Sequence, residues 1–263
     1  MSAHDAPLSS TAVPLERRAA LVVVAVATVW VGIAGLRWGT WSAGSADASG
    51  YISQSALWLD GTLVERVPLA ASVPWANAGW TFAPLGYRPG VEPGTLVPVY
   101  PVGLPLVMAA LRGVGGADAV FVAVPVLGMM AVLATALLAT RMASASAGAV
   151  AALLLATSPT FLFSLMWPMS DVPAAALWVL GLVLATGTGL PSAIGAGLAI
   201  ALAVLTRPNL VLVALAPGAF LLWRAMRAPA DRRAWTRLLV TSGLGAAGCL
   251  GVAAVHTVRT DPR

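Results

Sequence analysis

The chain contains no lysine: all 15 of its basic residues are arginines. It has one cysteine, Cys249, and two histidines, His4 and His256, at opposite ends of the sequence. These shortages exclude an internal disulfide and give no Cys/His metal cluster. Cys249 lies inside an apolar run and reads as a small core residue. Acids are scarce too, 10 against the 15 arginines, for a net charge of +5. The arginines gather at the ends of apolar runs and form no basic stripe, so the excess does not point to nucleic acid. No P-loop, Rossmann glycine pattern or serine-hydrolase elbow is present.

What the chain has instead is hydrophobicity. Of its 263 residues, 59% are hydrophobic and 10% charged, and the mean hydropathy is +0.87. That is the composition of a multi-span membrane protein. A run over residues 19–36 follows Arg17 and Arg18 and reads as an uncleaved first transmembrane helix, too long for the core of a signal peptide. Further apolar runs cover 119–140, 147–165, 172–188, 193–206, 209–223 and 238–256. Residues 37–98 break the pattern with repeated Pro, Gly and Trp, which leaves room for short elements only. One amphipathic helix is expected over 48–60, where Tyr51, Ser55, Trp58 and Leu59 follow helical spacing. Runs of small residues at Gly195–Gly197 and Gly243–Gly248 read as helix-packing faces.

Orientation follows from charge. Short cytoplasmic loops are enriched in Arg and Lys. Arg17 and Arg18, then Arg141, then Arg224, Arg227, Arg232, Arg233 and Arg237 all fall on one side if the short segment 99–112 does not cross. That segment is therefore expected to be juxtamembrane or re-entrant. The expected fold is all-α: a polytopic transmembrane bundle of about seven spans with a long external first loop, residues 37–118, carrying short juxtamembrane helices. A cytoplasmic tail, residues 1–18, precedes the transmembrane domain of 19–256, and a short tail, 257–263, follows it. The chain is placed in the cell (inner) membrane, multi-pass, with a cytoplasmic N-terminus.

Three polar intrusions then share the external face. Asp47 follows the first span; it suits a general base on an acceptor hydroxyl, or a ligand for a divalent metal beside a phosphate. The plainer reading is a solvated loop acid. Asp171, in Ser170-Asp171-Val172-Pro173, marks a helix N-terminus, where it caps the helix or sits among free amides that favour phosphate. Arg207, before Pro208, either snorkels at the interface or pairs with a lipid-linked phosphate. Arg88 is a further phosphate candidate, and Tyr51 is grouped with these as substrate-binding. Trp38 and Trp41 fit an interfacial aromatic belt, whereas Trp58, Trp75 and Trp80 fit a belt or a sugar platform equally.

Four stretches together resemble the GT-C glycosyltransferases, close to bacterial proteins of the dolichyl-phosphate-mannose–protein mannosyltransferase type. They are Ala46-Asp47-Ala48-Ser49-Gly50-Tyr51; Val97 to Leu106, similar to a Tyr-Pro-Pro-Gly-Pro-Leu stretch; Thr157-Ser158-Pro159 with Pro168 to Pro173; and Leu205-Thr206-Arg207-Pro208-Asn209. The resemblance implies transfer of a sugar from a polyprenyl-phosphate donor on the external face, to a protein, lipid or polysaccharide acceptor. It implies that Asp47 is the catalytic acid of the first external loop and that Asp171 contributes to the site. It names no certain cofactor, though a divalent metal is possible. Members usually run several spans longer, so the chain is expected to be C-terminally truncated. Alternative readings are an inactive relative, a lipid-carrier-binding membrane subunit, or a transporter.

Overall fold

The computed structural model describes residues 15–260, with side chains to 257. The expected tails therefore lie mostly outside the described residues, as does His4. The fold is 76% helical. Among the described residues, four helical stretches are long and apolar enough to cross a membrane: Leu15–Trp38, Ala117–Met142, Pro208–Arg227 and Arg232–Thr257. A bent pair, Ala145–Ala156 and Pro159–Leu165, would make a fifth.

The first helix, α1 (Leu15–Trp38), exposes Leu21, Val22, Val26 and Val29, while Ala27, Val31 and Ala34 are buried. A helix apolar over its middle turns, with a face of mostly small residues inward, suits packing on protein with lipid outside. Ser45 then starts α2 (Ala46–Leu59) as its N-cap, accepting from the Ala48 amide at 3.2 Å. The expected helix at 48–60 is therefore present, and it begins two residues earlier. Asp47 lies in its first turn, not in a loop. A carboxylate there meets the positive end of the helix dipole.

Residues 60–102 hold a feature that the all-α expectation missed. Strands β1 (Glu65–Arg66), β2 (Tyr87–Pro89) and β3 (Thr95–Pro98) form a small antiparallel sheet in the order β1-β3-β2. Strands this short, set among prolines, leave no readable alternation. Two one-turn helices, α3 (Pro68–Ser72) and α4 (Ala78–Phe82), lie between β1 and β2. Next, α5 (Gly103–Gly115) packs on α2 through Tyr51, Leu104 and Met108. It starts against the end of a later helix: a Cβ on Gly103 would overlap the Thr206 hydroxyl and backbone.

A 3₁₀ segment, Ala117–Val122, leads into α6 (Ala123–Met142). The run at 147–165, expected as a single span, is two helices, α7 (Ala145–Ala156) and α8 (Pro159–Leu165), bent by 61°. Ser158 restarts the chain as the cap of α8, and Pro159 cannot continue α7. The core gathers α1, α6, α7 and α8 around Val31, Val132 and Leu165, which are almost fully buried.

Next come α9 (Asp171–Ala185) and α10 (Leu190–Thr206), joined by a tight turn and therefore antiparallel. A 3₁₀ segment, Pro208–Ala214, precedes α11 (Leu215–Arg227), and α12 (Arg232–Thr260) ends the described chain. The glycine runs act as read from the sequence. Gly197 faces Leu244 and Gly248 faces the Ala201 backbone, so that α10 and α12 touch almost backbone to backbone. Cys249 departs from its reading: it is exposed, on a groove of about 570 Å³ that includes Val204, Val211 and Leu222.

The two ends of this bundle differ in charge. At the C-terminal end of α9, Arg141 donates to the Val183 carbonyl and Thr186 hydroxyl, both at 2.6 Å. Arg224 donates to the carbonyls of Thr186 and Gly187 at 3.3 and 3.1 Å, and Arg237 to that of Ala185 at 3.1 Å. Cations there complement the negative end of the helix dipole. Arg17 lines a cleft with Thr140 and Ala145 beside this cluster. The other end of α9 carries Asp171.

Candidate functional site

The site is at the acidic end of α9. The chain leaving α1 is tied there at once: the Thr40 amide donates to the Met166 carbonyl at 2.9 Å, and Trp167 packs over Gly44. This brings the start of α2 beside the turn before α9.

Tyr100 enters from the other side. Val99 closes onto the Gly86 carbonyl at 2.9 Å, which turns the residue after β3 toward α2. The Tyr100 ring then fills a slot between two glycines, since a Cβ on Gly50 or Gly86 would overlap it. Gly86 also has φ +91°, a conformation that favours glycine. From this slot the Tyr100 hydroxyl donates to Asp47 Oδ1 at 2.5 Å. The rings of Tyr100 and Tyr51 meet with centroids 5.1 Å apart, tilted by 48°.

Tyr51 links this half to the other. It is 4% exposed, and its hydroxyl donates to Ser170 Oγ at 3.1 Å. The same oxygen accepts from Arg207 Nε at 3.2 Å. Arg207 also pairs with Asp171 Oδ1 at 2.9 Å. Ser170 stands at the N-cap position of α9 yet makes no cap bond, its oxygen being engaged by Tyr51 and Arg207. The result is one connected array: Asp47, Tyr100, Tyr51, Ser170, Arg207 and Asp171. It is drawn from the start of α2, the turn before α5, the start of α9 and the end of α10.

The array is partly open. The side chains of Arg207 and Asp171 are 35% and 40% exposed, so a ligand could reach both. Burial, and then the hydrogen bond and charge of Asp47, push the Tyr100 phenol up to about 12. Tyr51 is also raised, mainly by burial, against the lowering effect of its bond to Ser170. Both phenols keep their protons at neutral pH and act as donors. Asp47 thus has one oxygen fixed by Tyr100, while the hydrogen bond leaves Oδ2 for other chemistry. Ser53, one turn along α2, shares a 2.7 Å hydrogen bond with Tyr87 and secures the sheet to the helix. The next residue, Gln54, is fully buried, and neither side-chain polar atom has a hydrogen-bond partner within the described protein.

Of the residues singled out from sequence, Asp47, Tyr51, Asp171 and Arg207 come together. Arg88 lies on β2 paired with Val97, and the array from Asp47 to Asp171 runs without it. Sequence reasoning missed Tyr100 and Ser170 as members, although both stand in stretches already noted. The signal for Tyr100 was the pair of glycines that must make room for it, visible only once the chain is folded. A divalent metal would find Asp47 but no built ligand set: among the described residues no three Asp, Glu, His or Cys side chains cluster.

No family model, curated protein or solved structure matches this chain.

Proposed function

We propose that the protein is a membrane glycosyltransferase that moves a sugar from a polyprenyl-phosphate donor to an acceptor on the external face. The observation that carries this reading is the convergence of Asp47, Tyr51, Asp171 and Arg207, from segments far apart in sequence, at one end of an apolar bundle. In this reading the arginine-rich end is cytoplasmic, as is the N-terminus, in a cell (inner) membrane. Seven spans then follow: α1, α6, the bent α7–α8 pair, α9, α10, the 208–227 stretch and α12. The acceptor is a protein, lipid or polysaccharide.

Asp47 Oδ2 takes the proton from the acceptor hydroxyl as its oxygen attacks the anomeric carbon. The bond from that carbon to the phosphate oxygen breaks, and the polyprenyl phosphate leaves with the electron pair. Tyr100 holds the carboxylate in place and stays protonated. Arg207 and the uncapped first turn of α9 meet the departing phosphate charge. The apolar groove that includes Val204 and Val211, on either side of Arg207 in sequence, offers a bed for the isoprenoid tail. If a divalent cation binds, Asp47 is the residue to hold it.

The test is transfer by the full chain, reconstituted in liposomes with labelled polyprenyl-phosphate sugars and peptide or glycan acceptors. Loss of transfer in both Asp47→Asn and Asp47→Ala, with lipid binding retained, supports the assignment. Unchanged transfer in both sinks it. A second reading, a carrier-binding subunit without chemistry, is favoured by Arg207 being already paired with Asp171. Binding of the polyprenyl phosphate without any transfer would select that reading.

A further inference from the structure

A second polar constellation lies at the opposite, arginine-rich end, far from Asp47. Arg237 is only 5% exposed there, and its guanidinium spends one nitrogen on the Ala185 carbonyl. Its Nε has no partner among the described residues. A buried, charged donor without an acceptor is costly, and such groups are normally satisfied by a counter-charge or a ligand. Arg237 lines a cleft of about 310 Å³ together with Arg233, Thr236, Thr188, Gly189 and Leu190. Arg233 and Arg237 stand four apart on α12, so they present their charges on one face.

The far wall of this cleft is the start of α10, a helix of 17 residues with no side-chain cap. Pro191 has no N–H, so of the first-turn residues that line the cleft Leu190 supplies the free amide. The positive end of the helix dipole therefore borders the same cleft as the two arginines. Nearby, Arg224 adds a further positive charge, bound to the carbonyls of Thr186 and Gly187. Asp231, at this end of α12, accepts the Arg233 amide on Oδ1 at 2.9 Å and does not line the cleft. The cleft is lined by two arginines and the start of a helix and by no carboxylate, an arrangement suited to an anion.

We propose that this cleft binds a phosphate group, held by the guanidinium groups of Arg233 and Arg237 that line it and by the Leu190 amide at the start of α10. The group belongs either to an anionic lipid headgroup or to a soluble phosphate compound; the recognition chemistry is the same. The site is separate from the sugar-transfer array and does not depend on it.

The experiment uses the purified full chain in a neutral detergent and follows binding by native mass spectrometry and by thermal unfolding. One arm adds inorganic phosphate against chloride at matched ionic strength. The other adds phosphatidylglycerol against phosphatidylcholine. Saturable binding with a rise in the unfolding temperature is expected in at least one arm. Stabilisation by inorganic phosphate assigns a soluble ligand, and stabilisation by phosphatidylglycerol alone assigns a headgroup. Arg233→Gln, at an exposed position, is expected to weaken binding about tenfold or more through loss of a charge-assisted hydrogen bond. Arg237→Gln should do the same; if it fails to fold, Arg233→Gln carries the test alone. No effect in either arm, or undiminished binding by Arg233→Gln, overturns the proposal.

Discussion

Tyr100 donates its phenolic proton to Asp47 across 53 positions of sequence, at 2.5 Å. The bond fixes one carboxylate oxygen of a residue that would otherwise swing freely at a helix start. It also makes Tyr100 the positioning residue for whatever Asp47 does.

Tyr100→Phe keeps the ring between Gly50 and Gly86 and removes only the hydroxyl. A hydrogen bond to a charged group contributes ~1.5–3 kcal/mol. If Asp47 is the base, kcat should fall about tenfold to a hundredfold with KM much less affected. Steady-state transfer assays with varied donor would read this split, and an unchanged kcat would remove Tyr100 from the catalytic account.

Ser170→Ala should destabilise the fold more than a single lost hydroxyl suggests. It strands both the Tyr51 hydroxyl and Arg207 Nε. For the buried Tyr51 hydroxyl the loss costs about 1–3 kcal/mol, and for the half-exposed Arg207 it costs less. Because Tyr51→Phe removes one of the stranded donors, the double variant should lose less than the sum of the two singles. Denaturation in detergent would measure the cycle, and strict additivity would argue that the two side chains act independently.

The two tyrosines predict an alkaline limit. Tyr100 is raised in the folded protein to about 12 from an ordinary 10.0, and Tyr51 is shifted in the same direction. A raised folded-state value means that the unfolded chain loses the proton first. Stability from these phenols is therefore complete below about pH 10 and declines as pH climbs toward about 12. Thermal unfolding across that window should show the decline, and Tyr100→Phe should flatten part of it. An equal slope in the variant would contradict the assignment.

Single cysteines test the two-ended arrangement. In a Cys249→Ala background, positions 47 and 207 should react with a membrane-impermeant maleimide from one side of sealed vesicles. Position 233 should react from the other. Labelling of all three from the same side would refute the crossing scheme.

Much of the site could be read from residue scarcity. Asp47 and Asp171 stood out because few acids interrupt an apolar chain, and Arg207 because Pro208 follows it at a run's end. Their meeting was an inference from charge bias, and in the fold they do share one end. Tyr100 was not legible, because its link to Asp47 depends on a hairpin built from strands of a few residues and on two glycines that shape a slot. The bend between α7 and α8 was hidden differently. Ser158-Pro159 is a strong restart signal, but continuous apolarity on both sides read as one span. Cys249 shows the same limit: hydrophobic surroundings in sequence do not separate a core position from a wall facing an apolar groove.

At one end of α9, Asp171 is pinned by Arg207; at the other, the last carbonyls and Thr186 are gripped by arginines from three other segments. Sliding the helix by one turn, about 5.4 Å, would break both sets of contacts together. In mechanical terms α9 is a strut clamped at both faces of the bundle. The neighbouring 208–227 stretch has only 17% of its length buried. A bulky ligand that displaces that stretch from the side would therefore loosen one grip on α9, that of Arg224, while Arg141 and Arg237 kept the strut in register.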